Sequence, residues 1–250
     1  RSGVRVFVVP GNHDVNNPHA VVFDGDKTRR TTTVSPSDFA SIYADYSYGQ
    51  ALARDAASLS YVAQLAPGLR MIAIDACKYE ENDFDKNICV TGGRIKPATQ
   101  RFIREQADAA KKAGCKVVVM MHHGVVPHFS AQPVVLPEYL VDDYPAVGRM
   151  LHDCGADVVF TGHFHSQDIA RDSTVTDVET GSLVSYPHPY RVIEVGGDKM
   201  SITTHNLRSI KSLAAQGEDL WQKSQKFARL SVAKMAEGYL PQNTPPAMRD

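Results

Sequence analysis

Short apolar runs rich in β-branched residues recur along the chain and predict buried strands. They span Val4 to Val9, Met71 to Ile74, Val117 to Met121, Val158 to Phe160, and Arg191 to Val195. Segments with a helical spacing of apolar residues lie between several of these runs. Because strand and helix alternate in this way, the pattern predicts an α/β core.

Two helices are predicted between the strands, over Lys96 to Lys112 and over Glu138 to Asp153. Apolar residues recur on one face of each segment, and a glycine follows each at the point where a helix would end. Ser37-Asp38 is typical of a helix start. The polar stretch from Ala20 to Val34 predicts a long surface loop.

A final helix is predicted over Glu218 to Glu237, closed by Gly238 and Pro241. Its apolar residues spread over a broad face and are Leu220, Trp221, Phe227, Leu230, Val232 and Met235. We expect a main domain over 1–205 and a C-terminal helical extension over 206–250 packed on it. Docking of a partner, or a homo-oligomer formed through this helix, is left open.

Composition narrows the classes of ligand. The 250 residues carry 27 Lys and Arg against 28 Asp and Glu, a net charge of -1, so the basic field typical of nucleic-acid binding is absent. We therefore expect a small-molecule ligand and no nucleic acid. No apolar run has the length of a membrane span. The compartment stays open between the bacterial cytoplasm and the periplasm or export.

The four cysteines form no CxxC pair and are interpreted as small buried residues. They are Cys77, Cys89, Cys115 and Cys154. A bridge between Cys77 and Cys89 is left open, since it depends on the compartment.

Three of the predicted strands are followed directly by histidines. The segments are GNHD from Gly11 to Asp14, His122-His123-Gly124, and Thr161-Gly162-His163-Phe164-His165. Ligands of α/β sheets bind outside the carboxyl ends of the strands. We therefore expect these clusters, which are distant in sequence, to form one site.

Imidazole nitrogens and amide oxygens are ligands for divalent transition metals. The candidate metal ligands are Asn12, His122, His163 and His165. His13 is a candidate proton donor, with Asp14 beside it to orient or charge its imidazole.

These segments, in this order and with these strand contexts, resemble the signature segments of the calcineurin-like metallophosphoesterases. Met71 to Asp75 also resembles a family strand, and Glu179 to Ser182, running on to Tyr190-Arg191-Val192, resembles the closing hairpin. The resemblance covers about Val4 to Thr204. GNHD together with GHxH is a specific signal, whereas the His pair alone is weak.

The resemblance implies an α/β fold of the four-layer α-β-β-α sandwich type and a dinuclear centre of Zn, Mn or Fe. It implies that Asn12, His122 and His163 bind the second metal and that His165 binds the first. It also implies that His13, held by Asp14, assists the leaving group, and that His123 lies near the substrate.

Two family segments that precede GNHD, Asp-x-His and Gly-Asp-x-x-Asp, do not occur in the sequence. We expect the fold to lack its first strands here and the remaining ligands to precede Arg1 in the intact protein. The predicted function is hydrolysis of phosphomono- or phosphodiesters, with a small-molecule or cyclic-nucleotide phosphodiesterase favoured. The alternative is a catalytically silent binding module of the same fold.

Overall fold

A computed structural model of the chain describes residues 3–197 and 199–239, without the side chains of 235–239. Pro241 and the side chain of Met235, which served to predict the last helix, lie outside the described residues. The chain divides into two compact units, Arg1–Glu179 and Thr180–Asp250. This boundary precedes the one expected after residue 205, so the closing hairpin belongs to the same unit as the C-terminal helix.

The prediction of a buried strand over Val4 to Val9 is wrong. These residues have no strand pairing, and the side chains of Val4 and Val6 are 71% and 43% exposed. Hydrogen bonds from side chains, and not strand pairing, hold this segment in place. The Val8 N–H donates to Ser47 Oγ at 2.8 Å, and the Tyr61 hydroxyl donates to the Val8 carbonyl at 2.8 Å. The apolar run therefore reaches GNHD without forming a strand of its own.

The predicted surface loop over Ala20 to Val34 contains a hairpin of strands β1 (Val21–Asp24) and β2 (Lys27–Arg30). All residues of the hairpin are exposed, including the apolar Val21, Val22 and Phe23 of β1, and Gly25 supplies the positive φ of 59° in the turn. The prediction of surface exposure is right and that of irregular structure is wrong.

The first unit is built on a seven-stranded sheet with the order β3-β4-β5-β6-β7-β9-β8. The strands are β3 (Ala53–Arg54), β4 (Tyr61–Ala66), β5 (Leu69–Ile74), β6 (Lys116–Met121), β7 (Val158–Thr161), β8 (Asp168–Arg171) and β9 (Thr176–Glu179). The pairs β5·β6, β6·β7 and β7·β9 are parallel, and the outer pairs are antiparallel. The predicted α/β class is confirmed, and the four-layer arrangement stays a prediction.

Four helices belong to this unit: α1 (Pro36–Ile42), α2 (Pro97–Lys112), α3 (Gln132–Val135) and α4 (Tyr144–Asp153). Short 3₁₀ turns span Tyr48–Gln50, Tyr79–Glu81 and Pro137–Tyr139. The α2 prediction is confirmed within one residue. The helix predicted from Glu138 begins only at Tyr144, because Asp143 has a left-handed φ of 52° that interrupts helical continuation. Ser35 caps α1 through a capping box with Asp38, so this helix starts slightly before the predicted residues.

The core of the first unit lies between the central parallel strands and the two longer helices. Ile72, Val119 and Val159 come from β5, β6 and β7, and they share one apolar cluster with Ile103 of α2 and Leu151 of α4. Each of these side chains is at most 1% exposed. Burial of this apolar surface fixes the three parallel strands, and with them the loops at their carboxyl ends.

The second unit contains an antiparallel hairpin of β10 (Pro189–Gly196) and β11 (Lys199–Asn206), followed by α5 (Lys211–Ala214) and α6 (Leu220–Tyr239). The strand predicted at Arg191 to Val195 is present but is not buried; Val192 and Val195 are 42% and 47% exposed.

Helix α6 contacts the segments that flank this hairpin. The Trp221 Nε1–H donates to the Leu207 carbonyl at 3.1 Å, and the Arg208 guanidinium lies 3.6 Å from the centre of the Trp221 ring. Farther along the helix, Phe227 is 72% exposed. Within residues 3–197 and 199–239, the structure contains no helix of the length and apolarity needed to cross a bilayer.

Candidate active site

The three histidine-bearing segments meet at the carboxyl edge of the sheet. Strands β6 and β7 are parallel neighbours in which Met120 pairs with Phe160, so the loops that follow them emerge side by side. The ring centres of His122 and His163 are 4.6 Å apart as a result. The predicted convergence is found in the structure, and the chemical roles of these residues stay predictions at this point.

The GNHD turn brings its amide against the first of these imidazoles. Asn12 is buried, and its Oδ1 lies 2.9 Å from the Nε2 of His122. Within the turn, the Gly11 N–H donates to Asp14 Oδ2 at 2.7 Å, and the Asp14 N–H donates to the Gly11 carbonyl at 3.1 Å. A Cβ at Gly11 would lie 3.1 Å from the His122 ring, so an alanine here would require the ring to shift by a few tenths of an ångström.

The turn after β7 holds two histidines in an uncommon backbone conformation. His163 and His165 have φ values of 69° and 58°, in the left-handed region that side chains other than glycine seldom adopt. Such residues cost about 1–3 kcal/mol each and are typical of functional sites. The Gly162 N–H donates to the His122 carbonyl at 3.1 Å, which ties this turn to the loop after β6.

A cavity of about 370 Å³ opens between the three segments. Its walls carry the predicted residues Asn12, His13, Asp14, His122, His163 and His165. They also carry Thr91, Glu138, Tyr139 and Phe164, which sequence reasoning missed. The Tyr139 ring lies 4.6 Å from that of His163, but Tyr139 falls in a segment predicted as helix, and no motif marked it.

The environment of His122 and His163 keeps these two imidazoles neutral. Burial, followed by the neighbouring imidazoles of His123 and His163, lowers the pKa of His122 to about 2. Burial and the imidazole of His123 lower the pKa of His163 to about 3. Neutral imidazoles have the lone pairs that metal binding requires.

A buried ring nitrogen without a partner tests whether this donor set suits a metal ion. The Nε2 atom of His163 is buried and has no hydrogen-bond partner. Buried polar atoms normally have partners, and neutral imidazole with an amide oxygen suits divalent transition metals. His122, His163 and Asn12 thus fit part of one coordination shell. Among the described residues no group of three or more His, Cys, Asp or Glu side chains is placed to hold a metal ion. The three donors named here include only two residues of those types, because the third is the amide of Asn12.

His13 and Asp14 lie exposed on the cavity wall. The His13 Nδ1 is 3.5 Å from the Sγ of Cys89, whose thiol also donates to the Asn12 carbonyl at 3.4 Å. The carboxylate of Asp14 binds the Gly11 amide, and its predicted pairing with His13 stays a prediction. Cys77 and Cys89 are both free thiols.

His123 lies behind this wall. Its side chain is fully buried, its Nε2–H donates to the Thr91 carbonyl at 2.9 Å, and its ring centre is 4.7 Å from that of His163. Burial lowers the pKa of His123 to about 4. In this position His123 supports the His163 ring from behind, and the expected contact with a substrate stays a prediction.

Comparison with known proteins gives two kinds of match. Among the solved structures similar to this chain are the following three. A dimetal phosphatase from Danio rerio is 16% identical over 59% of this chain and 58% of its own, with a TM-score of 0.47. GAP50, the anchor in the inner membrane complex of Plasmodium, is 15% identical over 46% of this chain and 32% of its own, with a TM-score of 0.32. A protein assigned as a 5′-nucleotidase from Staphylococcus aureus, in complex with alpha-ketoglutarate, is 15% identical over 53% and 26%, with a TM-score of 0.33.

The alignments thus span less than two thirds of each of these proteins. No curated protein matches the chain. The model of the calcineurin-like phosphoesterase family matches residues 1–167, which is more than half of the chain and includes all three histidine-bearing segments. The chain therefore belongs to the calcineurin-like phosphoesterase family.

Proposed function

We propose that the protein is a metal-dependent phosphoesterase that hydrolyses small phosphomono- or phosphodiesters. The observation that carries the proposal is the convergence of Asn12, His122 and His163 on one cavity, with the buried Nε2 of His163 lacking a partner. Family membership supports it, because the family model covers these residues. The proposed cofactors are two divalent transition-metal ions, Zn, Mn or Fe.

In this proposal Asn12, His122 and His163 hold one ion and His165 contributes to the other. When bound, the ions lower the pKa of water and draw charge from the phosphoryl oxygens. Contacts within the chain position these donors. The turn at Gly11 places the Asn12 amide oxygen 2.9 Å from His122 Nε2, and the buried ring of His123 packs against the ring of His163.

His13 is the proposed proton donor to the departing oxygen. It lies exposed on the cavity wall, where a leaving group can reach it, and imidazole is the side chain most often used as a general acid. Its Nδ1 lies 3.5 Å from the Cys89 sulfur, which leaves Nε2 as the nitrogen proposed to donate to the departing oxygen.

The dimensions of the cavity favour a small substrate. A volume of about 370 Å³ suits one small organic phosphoester. Tyr139 and Phe164 line the cavity with ring centres 5.1 Å apart, and such a pair offers an apolar face to an aryl group or a nucleobase. We therefore favour a small-molecule or cyclic-nucleotide phosphodiester.

The test is hydrolysis of bis(p-nitrophenyl) phosphate and p-nitrophenyl phosphate by the purified protein, before and after exhaustive chelation. We expect activity that disappears with the chelator and returns on addition of Mn²⁺ or Zn²⁺ but not of Mg²⁺ alone. Undiminished hydrolysis after chelation and chelator removal would exclude the metal-dependent mechanism. Metal binding without any phosphoester hydrolysis would favour the binding-module alternative.

A further inference from the structure

A buried ionic cluster lies beside the site, next to the carboxyl ends of β7 and β9. We call it the His128 cluster; its members are His128, Asp168, Asp177 and Glu179. The side chains of His128, Asp177 and Glu179 are 3%, 0% and 1% exposed, whereas that of Asp168 is 48% exposed. Burying charged groups is costly unless they are paired, so such a cluster needs a structural explanation.

Asp177 bonds to both loops that carry the candidate metal ligands. Its Oδ2 accepts the N–H groups of Val125 at 2.6 Å and Val126 at 3.1 Å, in the loop that begins with His122. Its other oxygen, Oδ1, accepts the hydroxyl of Thr161, the residue with which β7 ends, two positions before His163. One carboxylate on β9 therefore connects the loop after β6 to the turn after β7.

Glu179 extends this connection to the far side of the turn. One of its oxygens, Oε1, accepts the N–H of Ser166 at 3.2 Å, directly after His165. The left-handed backbone of His163 and His165 is thus held at both ends, by Asp177 through Thr161 and by Glu179 through Ser166. A strained turn persists only when the surrounding contacts determine it in this way.

His128 compensates the buried carboxylates. Its Nδ1 lies 2.9 Å from Asp168, and its Nε2 lies 3.4 Å from Glu179 and 3.8 Å from Asp177. The imidazole therefore has a carboxylate on either side, and it balances charge that would otherwise be desolvated without a partner.

We propose that Asp177 is a positioning residue of the active site: it fixes the His122 loop and the His163 turn relative to each other, with Glu179 and His128 supporting it. This inference rests on the proposed function, because it explains how the metal-binding imidazoles are oriented. Partners behind metal ligands typically control affinity by orienting them. Asp177 acts through the backbone and through Thr161, and does not line the cavity.

The test compares Asp177→Asn with Asp55→Asn as a matched control. Asp55 also accepts three hydrogen bonds, from the Ala57 N–H at 3.1 Å and from the hydroxyls of Ser58 and Thr99 at 2.6 Å each, but it has no bond to the loops of the site. Two readouts are measured: imidazole ¹H–¹⁵N NMR signals of the metal-free protein, and Mn²⁺ affinity by calorimetry.

We expect Asp177→Asn to shift the ring signals of His122 and His163 and to raise the Mn²⁺ dissociation constant by about 10–100-fold. The Asp55→Asn variant should leave both the ring signals and the Mn²⁺ affinity unchanged, even if its melting temperature falls as much as that of Asp177→Asn. Unchanged ring signals in Asp177→Asn would overturn the inference. Shifted signals with wild-type Mn²⁺ affinity would overturn it as well.

If Asp177→Asn does not fold, Thr161→Val decides the question, because it removes the hydroxyl bond to Asp177 with little change of shape. The same shifts are expected at smaller size, and wild-type ring signals would again reject the inference. Failure of the proposed function is distinguishable: a wild-type protein that binds no Mn²⁺ refutes the function, whereas the ring signals of the metal-free protein still decide the role of Asp177.

Discussion

The Nε2 atom of His122 lies 2.9 Å from the Oδ1 atom of Asn12, although 110 positions separate the two residues. The imidazole N–H donates to the amide oxygen. In the proposed function both residues bind one divalent ion, which requires the proton on His122 Nε2 to move to Nδ1, because a ligand imidazole offers a ring-nitrogen lone pair. The fold thus brings two candidate ligands into contact.

Removal of a candidate ligand should weaken metal binding. We expect His163→Ala to raise the Mn²⁺ dissociation constant by at least about 10-fold. Loss of a residue that merely supports a metal ligand already costs about 10–100-fold in affinity, so loss of a ligand itself should cost no less. His152→Ala is the control, because His152 is 53% exposed and pairs with Asp157 at 2.9 Å on the surface. Calorimetric titration measures both, and equal affinities would contradict the assignment of His163.

The role of His13 depends on the leaving group. As a general acid it should contribute about 10²–10⁴-fold to kcat for a poor alkoxide leaving group and much less for p-nitrophenolate, which departs without a proton. We expect His13→Ala to show this difference when alkyl and nitrophenyl esters are compared. His19→Ala, at another exposed histidine near the same loop, should leave both rates intact. A uniform loss for both esters would argue against proton donation.

Gly93 has no room for a side chain. A Cβ at this position would lie 2.5 Å from the Cγ and Nδ1 atoms of His123, whose ring is fully buried. Gly93→Ala should therefore lower the free energy of unfolding by about 1–3 kcal/mol, measured by denaturant titration. At Gly92 the nearest atom is the flexible Nζ of Lys78 at 3.5 Å, so Gly92→Ala should cost little. Equal stability of the two variants would show that the His123 ring can move aside.

The His128 cluster should make stability fall as the pH rises. Burial lowers the pKa of His128, but the carboxylates of Asp177, Asp168 and Glu179 outweigh it and raise that pKa to about 9, above the ordinary 6.5. The folded state therefore binds the proton on His128 more tightly than the unfolded chain does, so the stabilisation is complete at low pH and is lost as pH rises.

The His128 contribution is present below pH 6.5 and disappears as the pH rises through about 9. We expect the melting-temperature difference between wild type and His128→Gln to shrink over this interval, while His152→Gln shows no such trend. Calorimetric scans at several pH values measure it. A difference that stays constant from pH 6 to pH 9 would mean that His128 is not protonated in the folded protein.

Much of the fold follows from local pattern. Helix α2 was predicted within one residue because an amphipathic repeat ended at Gly114, and β5, β6 and β7 were predicted because buried parallel strands are continuous apolar runs. The candidate ligands were predictable for the same reason, since each cluster follows its run directly.

Local pattern failed where pairing or long-range contacts decide the structure. Val4 to Val9 has the composition of a buried strand, but it forms no strand, and Ser47 and Tyr61 bind its backbone. Tyr139 lines the cavity from a 3₁₀ turn and not from the predicted helix, which begins only after the left-handed Asp143. Neither contact leaves a signal in the adjacent residues.

By itself, the sequence determined the alternation of strands and helices, the histidines at the strand ends and the family to which the chain belongs. Only the tertiary structure decided that β6 and β7 are neighbours and that His123 is buried. It also decided that Asp177 and Glu179 bind the loop after β6 and the turn after β7, which carry the candidate metal ligands. The physical reason is that apolar periodicity is a local property, whereas burial of a carboxylate depends on a partner such as His128, which lies 3.4 Å from Glu179 across the fold.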